Sequence, residues 1–286
     1  MTEWEERAGK IRPTFPDGSA PPDPASERTL VQDAKSLDAK TTYEVILEEG
    51  EQELARSTSA LVWSGLAAGL TMGLSFLSVG LLHAHLPESE WRPLVARLGY
   101  TVGFVAVIIG SQQLFTENTL TPILPLLKRK TGASLRNVLR LWGAVFLANI
   151  IGSLVFALAL GGLDLVDSRV HHALEDVARE ALRHDAATTF VRAVAAGWLI
   201  ALLVWMLPGV KGGRLGVIVL MTYLIALGGF AHVIAGASEV FYAAVRGAAT
   251  WGDALGYLAP TLVGNVLGGV TLVTALNHAQ ATSGES

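Results

Sequence analysis

Six stretches of the chain are apolar enough and long enough to cross a lipid bilayer: roughly 60–82, 97–127, 138–160, 188–207, 214–246 and 256–277. A span needs about 20 apolar residues, so the second and fifth stretches exceed what one straight helix uses. Both are interrupted by polar residues, one at "LFTENTLTP" (114–122) and the other at "HVIAGASE" (232–239). Unwound backbone at membrane depth leaves N–H and C=O groups without helical partners. It is tolerated where it is buried in protein or faces a watery cavity. The two breaks are therefore the first candidates for the lining of a pore.

A repeat runs through this pattern. "LANIIGSLVFAL" (147–158) resembles "VGNVLGGVTLVT" (263–274), pairing Asn149 with Asn265 and Gly152 with Gly268 at an offset of 116. The same offset carries Thr116 in the first break onto His232 in the second. Two related halves of three spans each must have opposite topology, because three is odd. The expected fold is an all-α membrane protein of six transmembrane helices. It is an inverted repeat of three plus three with broken second and fifth helices, and its functional site lies where the breaks meet near mid-membrane.

Composition agrees with a membrane class: mean hydropathy is +0.45, and 16% of residues are charged against about 25% in an ordinary soluble domain. Charge is concentrated at the start, where residues 1–56 hold thirteen acids and seven Lys/Arg. Residues 1–40 read as a disordered tail, rich in Pro, Ser and Asp, without the apolar run of a cleavable signal peptide. Residues 41–58 read as an acidic amphipathic helix, 59–278 as the six-helix channel domain and 279–286 as a short tail. The loops 128–140 and 211–214 carry seven Lys/Arg in 17 residues, and the alternate loops carry six in 52. That asymmetry puts both termini in the cytoplasm. With no cysteine, thiolate metal sites and disulfides are excluded. No cofactor is implied, and no basic, aromatic-interleaved patch suggests nucleic acid. No hydrolase, zinc-protease or P-loop motif is present, so the reading is not an enzyme. The "VHH" at 170–172 is too short a pattern to define a metal site.

His232 stands out among the chemistry-bearing residues. An ionisable group within a span usually faces the bundle interior or a cavity. Its position at the start of a break favours a pore role over a packing role. Thr116 offers a hydroxyl that both donates and accepts. Asn118 and Thr119, and Ser238 and Glu239, read either as caps of the two half-helices or as pore groups; free N–H groups at such N-termini attract anions. Asn149 and Asn265 lie in glycine-flanked helices, where an interhelical hydrogen bond competes with a solute contact.

The set "LFTEN" (114–118), "FVRAVAAGWLIALLVWM" (190–206), "GGFAHVIAG" (228–236) and "GNVLGG" (264–269) resembles the formate/nitrite transporter family over about residues 58–278. The resemblance implies an aquaporin-like six-helix bundle in the bacterial inner membrane, assembled as a homopentamer in the lipid bilayer with one pore per protomer. Small monovalent weak-acid anions pass through it. By motif position His232 is the central pore residue and Thr116 its partner. Phe104, Leu114, Phe115 and Ile225 form apolar constrictions, and Asn265 is the sixth-helix asparagine. Glu117, Asn118 and Glu239 join the candidate pore residues.

Four departures separate this chain from the family pattern. Gln113 stands where an acid is frequent, Glu117 where a small residue follows the threonine, and Gly236 where the family has asparagine. The outer-mouth lysine is missing, with Arg183 and His184 nearest. An ionised carboxylate about 6 Å from a pore axis repels an anion by a few kcal/mol at an effective dielectric near 20, unless it is protonated, paired or turned away. The leading expectation is a channel for a small weak-acid anion, passive or proton-linked through His232. The alternatives are a small-cation (ammonium) or proton-coupled channel using Glu117 and Glu239, and a scaffold whose acidic N-terminal region recruits a partner.

Overall fold

The computed structural model describes residues 37–210 and 212–274. The expected tail 279–286 lies outside the described residues, as does most of the tail 1–40. Among the described residues all regular structure is helical. The helices are α1 Ala39–Ala55, α2 Thr58–His85, α3 Arg92–Ala96, α4 Thr101–Ile109, α5 Ile123–Arg129, α6 Gly132–Gly162, α7 Ser168–Ala181, α8 Ala186–Met206, α9 Arg214–Gly228, α10 Val233–Val245 and α11 Trp251–Leu267. A 3-10 turn (Arg97–Tyr100) joins α3 to α4, and π-helical backbone (Gly268–Thr274) continues α11.

The long helices start where a short polar side chain accepts an N–H of the first turn. Ser57 does this for α2, Thr131 for α6, Asp185 for α8 and Thr250 for α11. Each such cap satisfies a donor that the helix itself leaves without a partner. Among the described residues five helical runs are long and apolar enough to cross a membrane: α2, Arg92–Ile109, α6, Ala186–Gly209 and Trp251–Thr271. Helices α9 and α10 qualify only together, bent by 49°, which brings the spans to six. Residues between Gly110 and Pro122 leave the α-helix, with only a 3-10 turn at Glu117–Thr119, before it resumes in the seven-residue α5.

The two halves repeat one packing device. Helix α2 crosses α6, and a Cβ at Gly69 would lie 2.1 Å from the carbonyl oxygen of Asn149. Helix α8 crosses α11, and a Cβ at Gly197 would lie 2.3 Å from the carbonyl oxygen of Asn265. Only glycine permits approach this close, so the small residues bring each asparagine within reach of the neighbouring break.

Helix α1 packs across one end of the bundle, here called the inner end. Its Ile46 and Leu47 cluster with Leu120, Leu124, Ala201 and Val204. Arg140 of α6 donates to the carbonyls of Leu54 and Arg56 and to the Thr58 hydroxyl, fastening the α1–α2 joint. At the outer end lies α7, in the connection between the expected spans 138–160 and 188–207. It is an amphipathic helix with Val170, Ala173, Leu174 and Ala178 buried, a helical spacing too short in apolar length to resemble a span.

Candidate pore site

The two breaks meet in the interior. Thr116 Oγ1 lies 2.7 Å from His232 Nε2, and both side chains are buried. His232 Nδ1 accepts the backbone N–H of Ala235 at 3.2 Å, so the imidazole itself caps α10. In the neutral ring that assigns the hydrogen to Nε2, which donates to the threonine oxygen. The hydroxyl hydrogen of Thr116 then remains for another acceptor. The phenyl ring of Phe104 meets the imidazole edge-on, with centroids 5.0 Å apart.

Each break is held by one asparagine acting on main-chain atoms alone. Asn149 Oδ1 accepts from Phe115 N at 2.9 Å, and its amide donates to Gly65 O at 2.7 Å and Gln113 O at 2.9 Å. Asn265 Oδ1 accepts from Val233 N at 2.8 Å, and its amide donates to Ala193 O at 2.8 Å and Ala231 O at 2.9 Å. In this frame Gln113 matches Ala231 and Phe115 matches Val233, so the counterpart of His232 is Leu114. The offset of 116 that linked Thr116 to His232 in sequence thus joins two residues that touch; the symmetry mates within the breaks lie 118 apart, while the two asparagines keep the offset of 116. Asn265 is fully buried, with its amide occupied by these three bonds.

Several further bonds brace the first break. Asn118 donates to Gln113 Oε1 and Leu114 O, Thr119 to Thr116 O, and Trp142 of α6 to Asn118 O. Caps fall elsewhere than expected. Pro122 precedes α5 without a side-chain cap, and α10 begins at Val233, so Ser238 and Glu239 lie inside that helix. Of the expected constriction residues, Phe104, Leu114 and Ile225 are wholly buried, and Phe115 is 3% exposed. The Phe115 ring packs edge-on against Trp142 and Phe146.

Two cavities approach this layer from opposite ends of α2. The inner one, of about 510 Å³, is lined by Glu49, Gln52, Glu53 and Arg56 at the α1 end, by Gln112, Gln113 and Glu117 in the first break, and by Arg214. The outer one, of about 470 Å³, is lined by Arg97, Tyr100, Glu180, Arg192, Ile225, Gly236, Glu239 and Tyr257 among others. They share no lining residue. Between them stand Phe104, Leu114, Thr116 and His232, none more than 1% exposed.

Charge is distributed on both sides. Partial desolvation pushes the Glu49 carboxyl above its ordinary range, with the Arg214 guanidinium opposing. At the outer mouth desolvation, Arg192 and Arg183 together hold the His184 imidazole below its usual value. Arg192, which the sequence reading passed over inside an apolar run, donates to Gly229 O at 2.9 Å at the second break. Arg97 reaches across to Ala226 O and pairs with Glu180 at 2.7 Å. Gly236 gives its space to Tyr257, whose phenol oxygen would lie 2.2 Å from a Cβ there. His171 of the "VHH" stretch meets Tyr242 Oη at 2.7 Å, and no group of three or more metal-ligating side chains gathers among the described residues.

Residues 40–279 match the family profile described as Formate/nitrite transporter. The chain is 39% identical over 243 residues to the inner membrane protein YfdC of Escherichia coli (strain K12), covering 85% of this chain and 78% of that one. Among solved structures it is similar to an FNT family ion channel, with a TM-score of 0.72 and 21% identity. That match covers 85% of this chain and 99% of the other. It is also similar to a pentameric formate channel with formate bound, with a TM-score of 0.66 and 19% identity, over 78% of this chain and 97% of the other.

Proposed function

Because the chain belongs to the formate/nitrite transporter family, we propose that it conducts a small monovalent weak-acid anion, of the formate or nitrite kind, along the path between its two cavities. The observation that carries this reading is the pair Thr116–His232 in a buried layer between two cavities that both carry charged side chains. An unaccompanied charge entering such a layer loses several kcal/mol of hydration. Hydrogen bonds to a charged group return roughly 1.5–3 kcal/mol each, and the Thr116 hydroxyl hydrogen, left over by the His232 Nε2–H bond to its oxygen, supplies one. Phe104 and Leu114 keep the layer narrow and apolar, and the N-terminus of α10 adds its positive dipole end. Asn265 and Asn149 serve the pore by holding the breaks, with Asn118 bracing the first.

A small-cation channel is the second reading. It draws support from Glu117 and Glu239, carboxyls on the inner and outer cavity walls. The proposed assembly is a homopentamer in a bacterial inner membrane with both termini cytoplasmic and no catalytic activity. In support, α6 exposes Leu139, Leu147, Ile151, Val155 and Leu158 along one side, a surface suited to lipid or a second copy.

The test is flux into proteoliposomes at pH 5.5 and 7.5, with formate, nitrite, hydrosulfide and ammonium as solutes, for wild type and His232→Ala. Formate or nitrite flux that is faster in acid and altered by the substitution supports the anion channel. Flux of ammonium alone, with a reversal potential that follows the cation gradient, overturns it in favour of the second reading.

A further inference from the structure

The dry layer is bracketed by two carboxyl groups that make no ion pair among the described residues. Glu117 follows Thr116 directly and lines the inner cavity, with Oε1 buried and bonded to nothing among the described residues. Glu239 lies two helical turns beyond His232 on α10, about 10 Å along its axis, and lines the outer cavity. No salt bridge among the described residues engages either carboxyl.

The histidine between them is poorly placed to carry a proton itself. Its Nδ1 accepts the Ala235 N–H and its Nε2 meets Thr116, so a second ring proton would displace the cap of α10. Yet a weak-acid anion crosses an apolar layer far more readily as the neutral acid. The geometry points to Glu117 and Glu239 as paired proton-exchange groups, one on each face of the layer, for a solute that crosses protonated. On the loading side the carboxyl O–H bond breaks as an O–H bond forms on the anion. On the other side the acid gives that proton to the opposite carboxylate and leaves as the anion. Hydronium in the first cavity reprotonates the first carboxyl, and water in the second cavity removes the proton from the second.

The charged surroundings differ on the two faces. Glu117 is faced by Glu49, Glu53 and Arg56 of the α1 end and by Arg214 of α9. Glu239 is faced by Arg97 and Tyr100 of the 3-10 turn, Glu180 and Asp176 of α7, and Tyr257 of α11. Beyond them are Arg192 of α8, Arg183, His184, and His83 of α2.

This inference rests on the anion-channel reading, and one experiment separates the two. Formate uptake and proton uptake are followed together in proteoliposomes between pH 5 and 8, for wild type, Glu117→Gln, Glu239→Gln and Glu117→Asp, against empty vesicles. Each glutamine variant is expected to lose formate flux at least tenfold at pH 7.5 and to regain it towards acid. Glu117→Asp is expected to keep most of the wild-type rate and its pH profile. Wild-type formate flux that is unchanged in both glutamine variants, or lowered equally at every pH, overturns the inference and leaves the channel reading standing. An absence of formate flux in wild type overturns the channel reading, and the inference with it.

Discussion

Replacing Asn265 by alanine tests whether one side chain holds the second break in place. The substitution removes three hydrogen bonds, to Val233 N, Ala193 O and Ala231 O. Ala193 lies within α8 and keeps its helical acceptor role, so its loss counts as an ordinary hydrogen bond, about 1 kcal/mol. Val233 N and Ala231 O stand in the break, where no helical bond replaces what is lost. Each is left unsatisfied at roughly 1–3 kcal/mol, which brings the total to about 3–7 kcal/mol. Polar groups in a membrane-embedded unfolded state find partners of their own, so part of this cancels and a loss of at least about 2 kcal/mol is expected. Equilibrium unfolding of the detergent-solubilised protein, followed by circular dichroism, measures it. Asn149→Ala is expected to match within about 1 kcal/mol, because its bonds to Phe115 N, Gln113 O and Gly65 O have the same layout. A loss below about 0.5 kcal/mol for Asn265→Ala would refute the clamp and leave the break supported by packing alone.

Three further outcomes follow from the same geometry. Thr116→Val keeps the shape but leaves the His232 Nε2–H without its acceptor, at roughly 1–3 kcal/mol; formate flux falls in vesicles, and Thr116→Ser restores it. Gly236→Ala drives a methyl into the buried Tyr257 phenol, lowering stability by about 1–3 kcal/mol. Removing the oxygen in the Gly236→Ala/Tyr257→Phe double variant returns part of that loss in the same unfolding assay. Glu49 has a raised pKa in the folded protein, so its ionisation opposes the folded arrangement as pH rises above the unfolded value near 4.3. Glu49→Gln is expected to slow amide exchange in α1 at pH 7.5, with the difference shrinking as pH falls towards 4.3. Equal protection at both pH values would count against it.

Much of this arrangement was legible in the residues, and the reasons differ from place to place. A polar residue in an apolar run is costly, so "LFTENTLTP" and "HVIAGASE" announced the breaks, and the glycine-flanked asparagines announced close helix crossings. The cap of α10 was not legible, because histidine is absent from the usual capping residues and only the fold shows the ring turned back onto Ala235. Arg192 was hidden inside an apolar run, and its role depends on the carbonyls of a segment 36 residues away. Tyr257 fills the space at Gly236 through a tertiary contact that no local pattern encodes. The repeat offset was read from side chains that resemble each other, whereas the symmetry of the structure resides in what the asparagines grip.

That grip has an evolutionary consequence. Asn149 and Asn265 hold only main-chain atoms, and every residue but proline offers the same N–H and C=O. The break can therefore exchange its side chains one at a time while its path through the protein stays fixed. Gln113 and Ala231, gripped through their carbonyls, occupy such exchangeable positions, where a change of solute needs no change of architecture. A library varying those two sites over an intact pair of asparagines would sample new permeation chemistries on one inherited frame.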